Sequence, residues 1–260
     1  MRLPIYQIDA FTDRVFSGNP AAVCPLDHWL DDAVMQAIAA ENNCSETAFY
    51  VKEGEYYALR WFTPEAEVDL CGHATLGAAF VLFEMLGYAD PCVVFETRSG
   101  RLFVERDADG RLSMDFPAWI AKPFSVTERI VDALGARPAE MLATRDFLAV
   151  FEDEDTVRGL TPDMRKVAGL DCMGLIATAP GREYDFVSRF FAPKVGIAED
   201  PVTGSAHCTL TPYWSKRLGR HRLRAWQASA RGGEVVCEHQ GERVRIAGHA
   251  VCYLQGTIAI

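Results

Sequence analysis

Two short stretches, RWFTP at residues 60–64 and RFFAP at 189–193, share an arginine, an aromatic residue, a phenylalanine and a proline. They stand 129 residues apart in a chain of 260. The spacing therefore constrains the whole fold. Each stretch runs through an irregular acidic segment into a glycine: EAEVDLCG ends on Gly72, and KVGIAEDPVTG on Gly204. From both glycines the chain reads as helix, ending at Gly87 and Gly219.

The surroundings repeat as well. Upstream of the first stretch lie a helix over 30–42, capped by Asp27 or Asp31, and a strand over 47–52. Upstream of the second lie a helix over 161–170, with Pro162 at its first position, and a strand over 174–179. Downstream, VVFETRSGRLFVER and LSMDFP match RAWQASARGGEVVCEH and RVRIAG, alternating strands around an Arg- and Gly-bearing turn. The order strand, helix, strand, strand, helix, meander thus occurs twice. The expected halves are 1–118 and 119–260, meeting near 117–128, where FPAWIAKPF brings two prolines.

The helix after Gly72, HATLGAAFVLFEMLG, is apolar on nearly every side, with only Glu84 charged. Such a helix is enclosed on all sides. In a chain made mostly of strands, the simplest enclosure is a curled sheet around it, which gives an α+β fold. Its counterpart, SAHCTLTPYWSKRLG, carries Pro212, which predicts a kink or break there.

Composition removes several function classes. The net charge is −10 and no basic run exists, which argues against nucleic acid or an anionic membrane as partner. The longest apolar run, 76–83, is too short to span a bilayer. The first residues read as a strand, so no signal peptide is expected. None of the eight cysteines forms a C-x-x-C pair, which suits reduced thiols in a cytoplasmic protein.

A buried helix start offers unpaired N–H groups and a partial positive charge. Two matched starts facing one cleft would suit a carboxylate or enolate. Cys71, Gly72, His73, Asp200, Thr203, Gly204 and Ser205 sit at these starts. Asp200, Thr203 and Ser205 also suit plain capping, although Asp200 stands far upstream for a cap. His73 reads as a neutral group with its pKa lowered by the helix start, and Cys71 as either a packing residue or an activated thiol. A zinc site from Cys71, His73, His207 and Cys208 is disfavoured, because C-x-H and H-C are poor ligand spacings on helices. His28, His221, His239 and His249 fall in turns or exposed strands. Glu46 stands at the mouth of the strand over 47–52, where a partly desolvated carboxylate of near-neutral pKa would serve as general acid/base.

The stretches DAFTDRVFSGNPAAV, NCSETAFYV, RWFTPEAEVDLCGHATLGAAFVLF, RFFAPKVGIAEDPVTGSAHCTL and RGGEV resemble the phenazine-biosynthesis PhzF-like family, most closely the branch containing the vertebrate MAWD-binding protein. The resemblance implies a diaminopimelate-epimerase-like fold of two similar α/β halves, with the site between them and the C-terminal strand returning to the first half. A characterised member isomerises dihydro-hydroxyanthranilate. Carried over, Glu46 of SET is the catalytic carboxylate that moves a proton between carbons. His73 of GHA, with Asp200 and Ser205 of EDPVTGS, binds and polarises substrate. No cofactor or metal is implied, and homodimers are usual.

The leading expectation is thus a cofactor-independent isomerase acting on a small anionic metabolite. A lyase or dehydratase on the same scaffold and a non-catalytic protein-interaction module are the alternatives. Two-thiol racemases of this fold place a cysteine before each helix-start glycine. Here Cys71 precedes Gly72 but Thr203 precedes Gly204. A threonine hydroxyl is too weak an acid to complete such a pair, so Glu46 is expected to work as a single base.

Overall fold

The computed structural model describes residues 1–260 and divides the chain into two compact units. Residues 1–115 and 247–260 form the first, and residues 116–246 the second.

In the first unit, β1 (Arg2–Ala10) pairs antiparallel with β2 (Asn19–Leu26) on one side and with the C-terminal β18 (Ala250–Ala259) on the other. Helix α1 (Asp32–Asn42) follows β2. β3 (Glu46–Glu53) then runs parallel to β2, and β4 (Tyr56–Phe62) turns back antiparallel to β3. The short β5 (Glu67–Val68) precedes helix α2 (Gly72–Phe80). β6 (Cys92–Thr97), β7 (Gly100–Arg106) and β8 (Leu112–Pro117) complete the meander.

The strands alternate, and both faces of the sheet are covered. Leu3, Ile5, Ala22, Cys24, Phe49 and Val51 pack with Met35, Ile38 and Ala39 of α1. The intervening residues face α2, where a methyl placed on Gly77 would touch Ile8 and Val23 at 3.5 and 3.6 Å. Helix α2 is buried over residues 73–79 and packs on β1, β2, β3 and β18. A period of two thus gives continuously apolar strands, each serving two helices. The helix continues through a π-turn, Val81–Met85, and ends where Gly87 takes a φ of 70°. Asn43, at φ 49°, closes α1, which begins at Asp32 without a side-chain cap.

The second unit repeats this order. β9 (Lys122–Phe124) and β11 (Phe147–Val150) flank β10 (Glu140–Ala143), as β18 and β2 flank β1. Helices α3 (Glu128–Leu134), α4 (Glu154–Gly159) and α5 (Met164–Ala168) pack around β12 (Leu175–Pro180) and β13 (Phe186–Ala192). β12 is parallel to β11 and antiparallel to β13. β14 (Ile197–Asp200) leads into α6 (Gly204–Leu218), followed by β15 (Arg222–Gln227), β16 (Gly233–Gln240) and β17 (Arg243–Gly248). The expected helix over 161–170 is shorter and starts later. Asp163 accepts from the N–H groups of Arg165 and Lys166, and so caps the chain after Pro162.

The repeat extends to an ion pair. Arg60 grips Glu67 through two bonds of 2.7 and 2.8 Å, and Arg189 grips Glu199 through two of the same lengths. Each fork ties a long strand to the short one that leads to a helix start.

Pro212 neither breaks nor interrupts α6, which is helical from Gly204 to Leu218. Proline leaves the carbonyl four residues back without its donor. Here the N–H of Trp119 supplies the bond, at 2.9 Å from the Cys208 oxygen. The chain segment carrying Trp119 thus compensates for the missing helix bond. No helix is long and apolar enough to cross a membrane.

Candidate active site

The alternation that builds the first sheet also sets its chemistry. Ala10 pairs with Asn19, Ile8 with Ala21, and Ala21 with Glu46. Asn19, Ala21 and Glu46 therefore share the α2 face. His73 lies one turn before Gly77, so its ring projects toward that face. It meets both polar residues: Nε2 stands 3.0 Å from Oε2 of Glu46, and Nδ1 stands 3.2 Å from the amide nitrogen of Asn19. The Ser45 hydroxyl donates to Asn19 Oδ1 at 3.3 Å. Cys71, the N-cap of α2, brings its sulfur to 3.5 Å from Nδ1.

All three central side chains are buried: Glu46 is 8% exposed, Cys71 6% and His73 6%. The ring N–H does not lie on the line to Oε2. The contact is thus a close ion pair, and Oε2 has no directed hydrogen bond. A buried carboxylate oxygen with an open lone pair is costly unless a ligand uses it.

The electrostatics differ from the sequence expectation. Burial opposes the Glu46 charge, but the charge of His73 beside it outweighs that cost, so Glu46 titrates below the usual glutamate value. Burial also opposes charge on His73, yet Cys71 and Glu46 outweigh it, and His73 titrates well above the usual histidine value. Burial, then the Glu46 charge, pushes the Cys71 thiol up to about 11. With its thiol held up, Cys71 is uncharged near neutral pH, so the anion beside the His73 ring is Glu46. The expected near-neutral Glu46 and helix-lowered His73 give way to an ion pair, because each supplies the other's counter-charge.

Asp200, Thr203, Gly204 and Ser205 gather at the start of α6 in the second unit. The Thr203 hydroxyl donates to Asp200 Oδ2 at 2.5 Å. Buried Gln227 pins the turn: its Oε1 accepts the Thr203 N–H, and its Nε2 reaches the Asp200 carbonyl and the Thr203 hydroxyl. Thr203 is the N-cap but makes no side-chain cap bond, so its hydroxyl orients Asp200 instead. Ser205 is half-buried, with an Arg145 nitrogen 3.5 Å from its hydroxyl. His207 is fully buried, with its Nδ1 2.9 Å from the Thr203 carbonyl, and burial lowers it to about 4. Neither α2 nor α6 carries a side-chain cap at its start. Helix starts of that kind suit an anion.

The two copies differ at the carboxylate. Pairing of Phe49 with Arg60 and of Ala177 with Arg189 makes Gly174 the counterpart of Glu46. A side chain there would run into the Phe190 ring at 2.3 Å. The repeat has no room for a second acid at this position.

Sequence reasoning missed Asn19, Ser45 and Gln227. Asn19 follows a glycine in SGNP and looks like a turn residue; only strand register shows that it faces α2.

Comparison with known proteins gives a family model, phenazine biosynthesis-like protein, that matches residues 8–256. An uncharacterized isomerase of Pseudomonas aeruginosa is 54% identical, covering 99% of both chains. The human phenazine biosynthesis-like domain-containing protein is 40% identical, also over 99% of both. A crystal structure of a PhzF-family protein from Enterococcus faecalis, 49% identical and covering 100% of both chains, superposes with a TM-score of 0.98. A hydroxyproline epimerase from Agrobacterium vitis shares the fold alone: TM-score 0.63, 11% identity, over 100% of this chain and 93% of that one. The fold is thus α+β, of the epimerase type that the motifs implied.

Proposed function

The chain belongs to the phenazine biosynthesis-like, or PhzF, family, and on that premise we propose that it is a cofactor-independent isomerase that shifts a proton on a small carboxylate-bearing metabolite. Glu46 is its general acid/base. The reading rests chiefly on the buried Glu46 carboxylate, whose Oε2 lacks a directed partner beside the uncapped start of α2.

In the forward step the Glu46 carboxylate takes a proton from an acidified carbon, leaving a delocalised carbanion. The protonated glutamic acid then returns that proton to a second carbon, and the carboxylate is restored. Atoms and charge balance with no external reagent. A carboxylate of lowered pKa is a modest base, so substrate acidification must carry much of the barrier. Helix-start N–H groups and His73 supply it by stabilising negative charge as it develops. Asp200, Thr203, Gly204 and Ser205 are proposed to bind substrate.

A substrate deuterated at the donor carbon tests this reading in ordinary water. With a single carboxyl carrier, part of the deuterium reappears at the acceptor carbon. Delivery of solvent hydrogen alone, from the opposite face, would instead require a second acid.

A further inference from the structure

Each unit sets a buried acid, with a cation beside it, at the start of its main helix. In the first unit these are Glu46 and His73, and His73 follows the helix-start residue Gly72. In the second, the residue after Gly204 is Ser205, whose hydroxyl lies 3.5 Å from a guanidinium nitrogen of Arg145. The same nitrogen stands 3.2 Å from Oδ2 of Asp146. Asp146 uses the space that Gly174 leaves: its Oδ1 lies 3.2 Å from where a side chain on Gly174 would begin. The acid missing from the mouth of β12 is thus supplied by the turn between β10 and β11, and its partner there is an arginine.

We propose that Arg145 is the substrate-anchoring cation of the second unit, holding a carboxylate together with the Ser205 hydroxyl and the first-turn N–H groups of α6. An arginine keeps its proton near neutral pH, so it serves as a fixed charge and not as a second acid. Its attachments fix it without using it up. The guanidinium carbon lies 4.8 Å from the centroid of the Trp119 ring. Only one of its nitrogens meets side-chain oxygens, and the side chain is 47% exposed. Arg60 and Arg189, by contrast, spend both prongs of the fork on Glu67 and Glu199. A planar fork with open N–H groups matches the two oxygens of a carboxylate.

Asp146 is wholly buried, and its single salt bridge goes to this half-exposed arginine. Burying a carboxylate for one such pair adds little stability; what it secures is the place of the guanidinium. Helix α6 has no acid in its first turn and no side-chain cap, so its N–H groups are open to the same anion. The proposal rests on the reading that Gly204 and Ser205 bind substrate, and it gives the substrate carboxylate a partner.

The test is titration of the isotope-labelled full-length chain with formate, the smallest planar carboxylate, followed by nuclear magnetic resonance. The Arg145 Nε–H and Ser205 N–H resonances should shift saturably with one common affinity, and neutral formamide should move neither. Arg145→Gln should weaken binding read at Ser205 by roughly 10–100-fold, the loss of a charged hydrogen bond, and Arg145→Lys should restore part of it. In folded Asp146→Asn protein the affinity should also fall, which a purely structural role would not cause. A wild-type chain in which neither resonance moves, or shifts spread without saturation over the surface arginines, overturns the proposal. Wild-type affinity at Ser205 in Arg145→Gln also overturns it, while leaving the α6 start as the substrate site. Glu46→Gln should bind formate as the wild type does, so loss of the base and loss of the anchor are read separately.

Discussion

Nε2 of His73 and Oε2 of Glu46 stand 3.0 Å apart on buried side chains, each supplying the charge that the other needs. The pair leaves a double signature in pH. Glu46 is depressed below 4.5, so its contribution to stability is present above that value and is lost as pH falls through the lowered one. His73 is raised above 6.5, so its contribution is present below that value and is lost as pH rises through the raised one. The stability difference between wild type and Glu46→Gln should therefore be largest between pH 4.5 and 6.5. The His73 imidazole resonance in the variant should titrate lower than in wild type. An unchanged His73 titration would contradict the pairing.

Cys71 should be dispensable for the proton shift. Held up to about 11, its thiol carries almost no thiolate at neutral pH. Thr203, at the corresponding helix start, has its hydroxyl donated to Asp200. Cys71→Ser and Cys71→Ala are expected to keep substantial activity. Racemisation of a free amino acid in deuterated water, abolished by Cys71→Ser, would show a thiol mechanism instead.

Burial holds His207 at about 4. Because the unfolded chain takes up the proton near 6.5 and the folded chain does not, stability falls as pH drops between those values. The loss from this residue is about 3 kcal/mol at pH 4. Denaturant unfolding of His207→Gln should show a flatter acid limb. An equal slope in both proteins would place the titrating group elsewhere.

The two arginine forks should be unequal. Arg189 also donates to the Val157 and Leu160 carbonyls, at 3.2 and 2.7 Å. Arg60 spends its remaining nitrogen on Asp32, whose side chain is 73% exposed. Lysine cannot reproduce the fork and would strand those carbonyls. Arg189→Lys is expected to lower stability by about 2 kcal/mol and Arg60→Lys by clearly less, as read from unfolding midpoints.

How far the sequence carried can be traced through particular residues. The repeat, the helix starts at Gly72 and Gly204 and the apolar helix are local or periodic signals, and strand alternation preserves them. Glu46 was legible because an acid at the mouth of an apolar strand is conspicuous. The charge state of His73 was not, since it depends on a carboxylate 27 positions away that only strand register brings alongside. The break expected at Pro212 is absent for a similar reason: the donor that restores the lost bond belongs to Trp119, distant in sequence. Asn19 and Gln227 escaped notice because amides in turns and strands carry no spacing signature.

The kinetics of Glu46→Gln test the central claim most directly. The substitution keeps the side-chain shape and removes the base. On the substrate that the wild-type enzyme isomerises, kcat should fall by about 10²–10⁴ in a protein that remains folded at the assay pH. A folded Glu46→Gln protein that turns over at the wild-type rate would contradict the account.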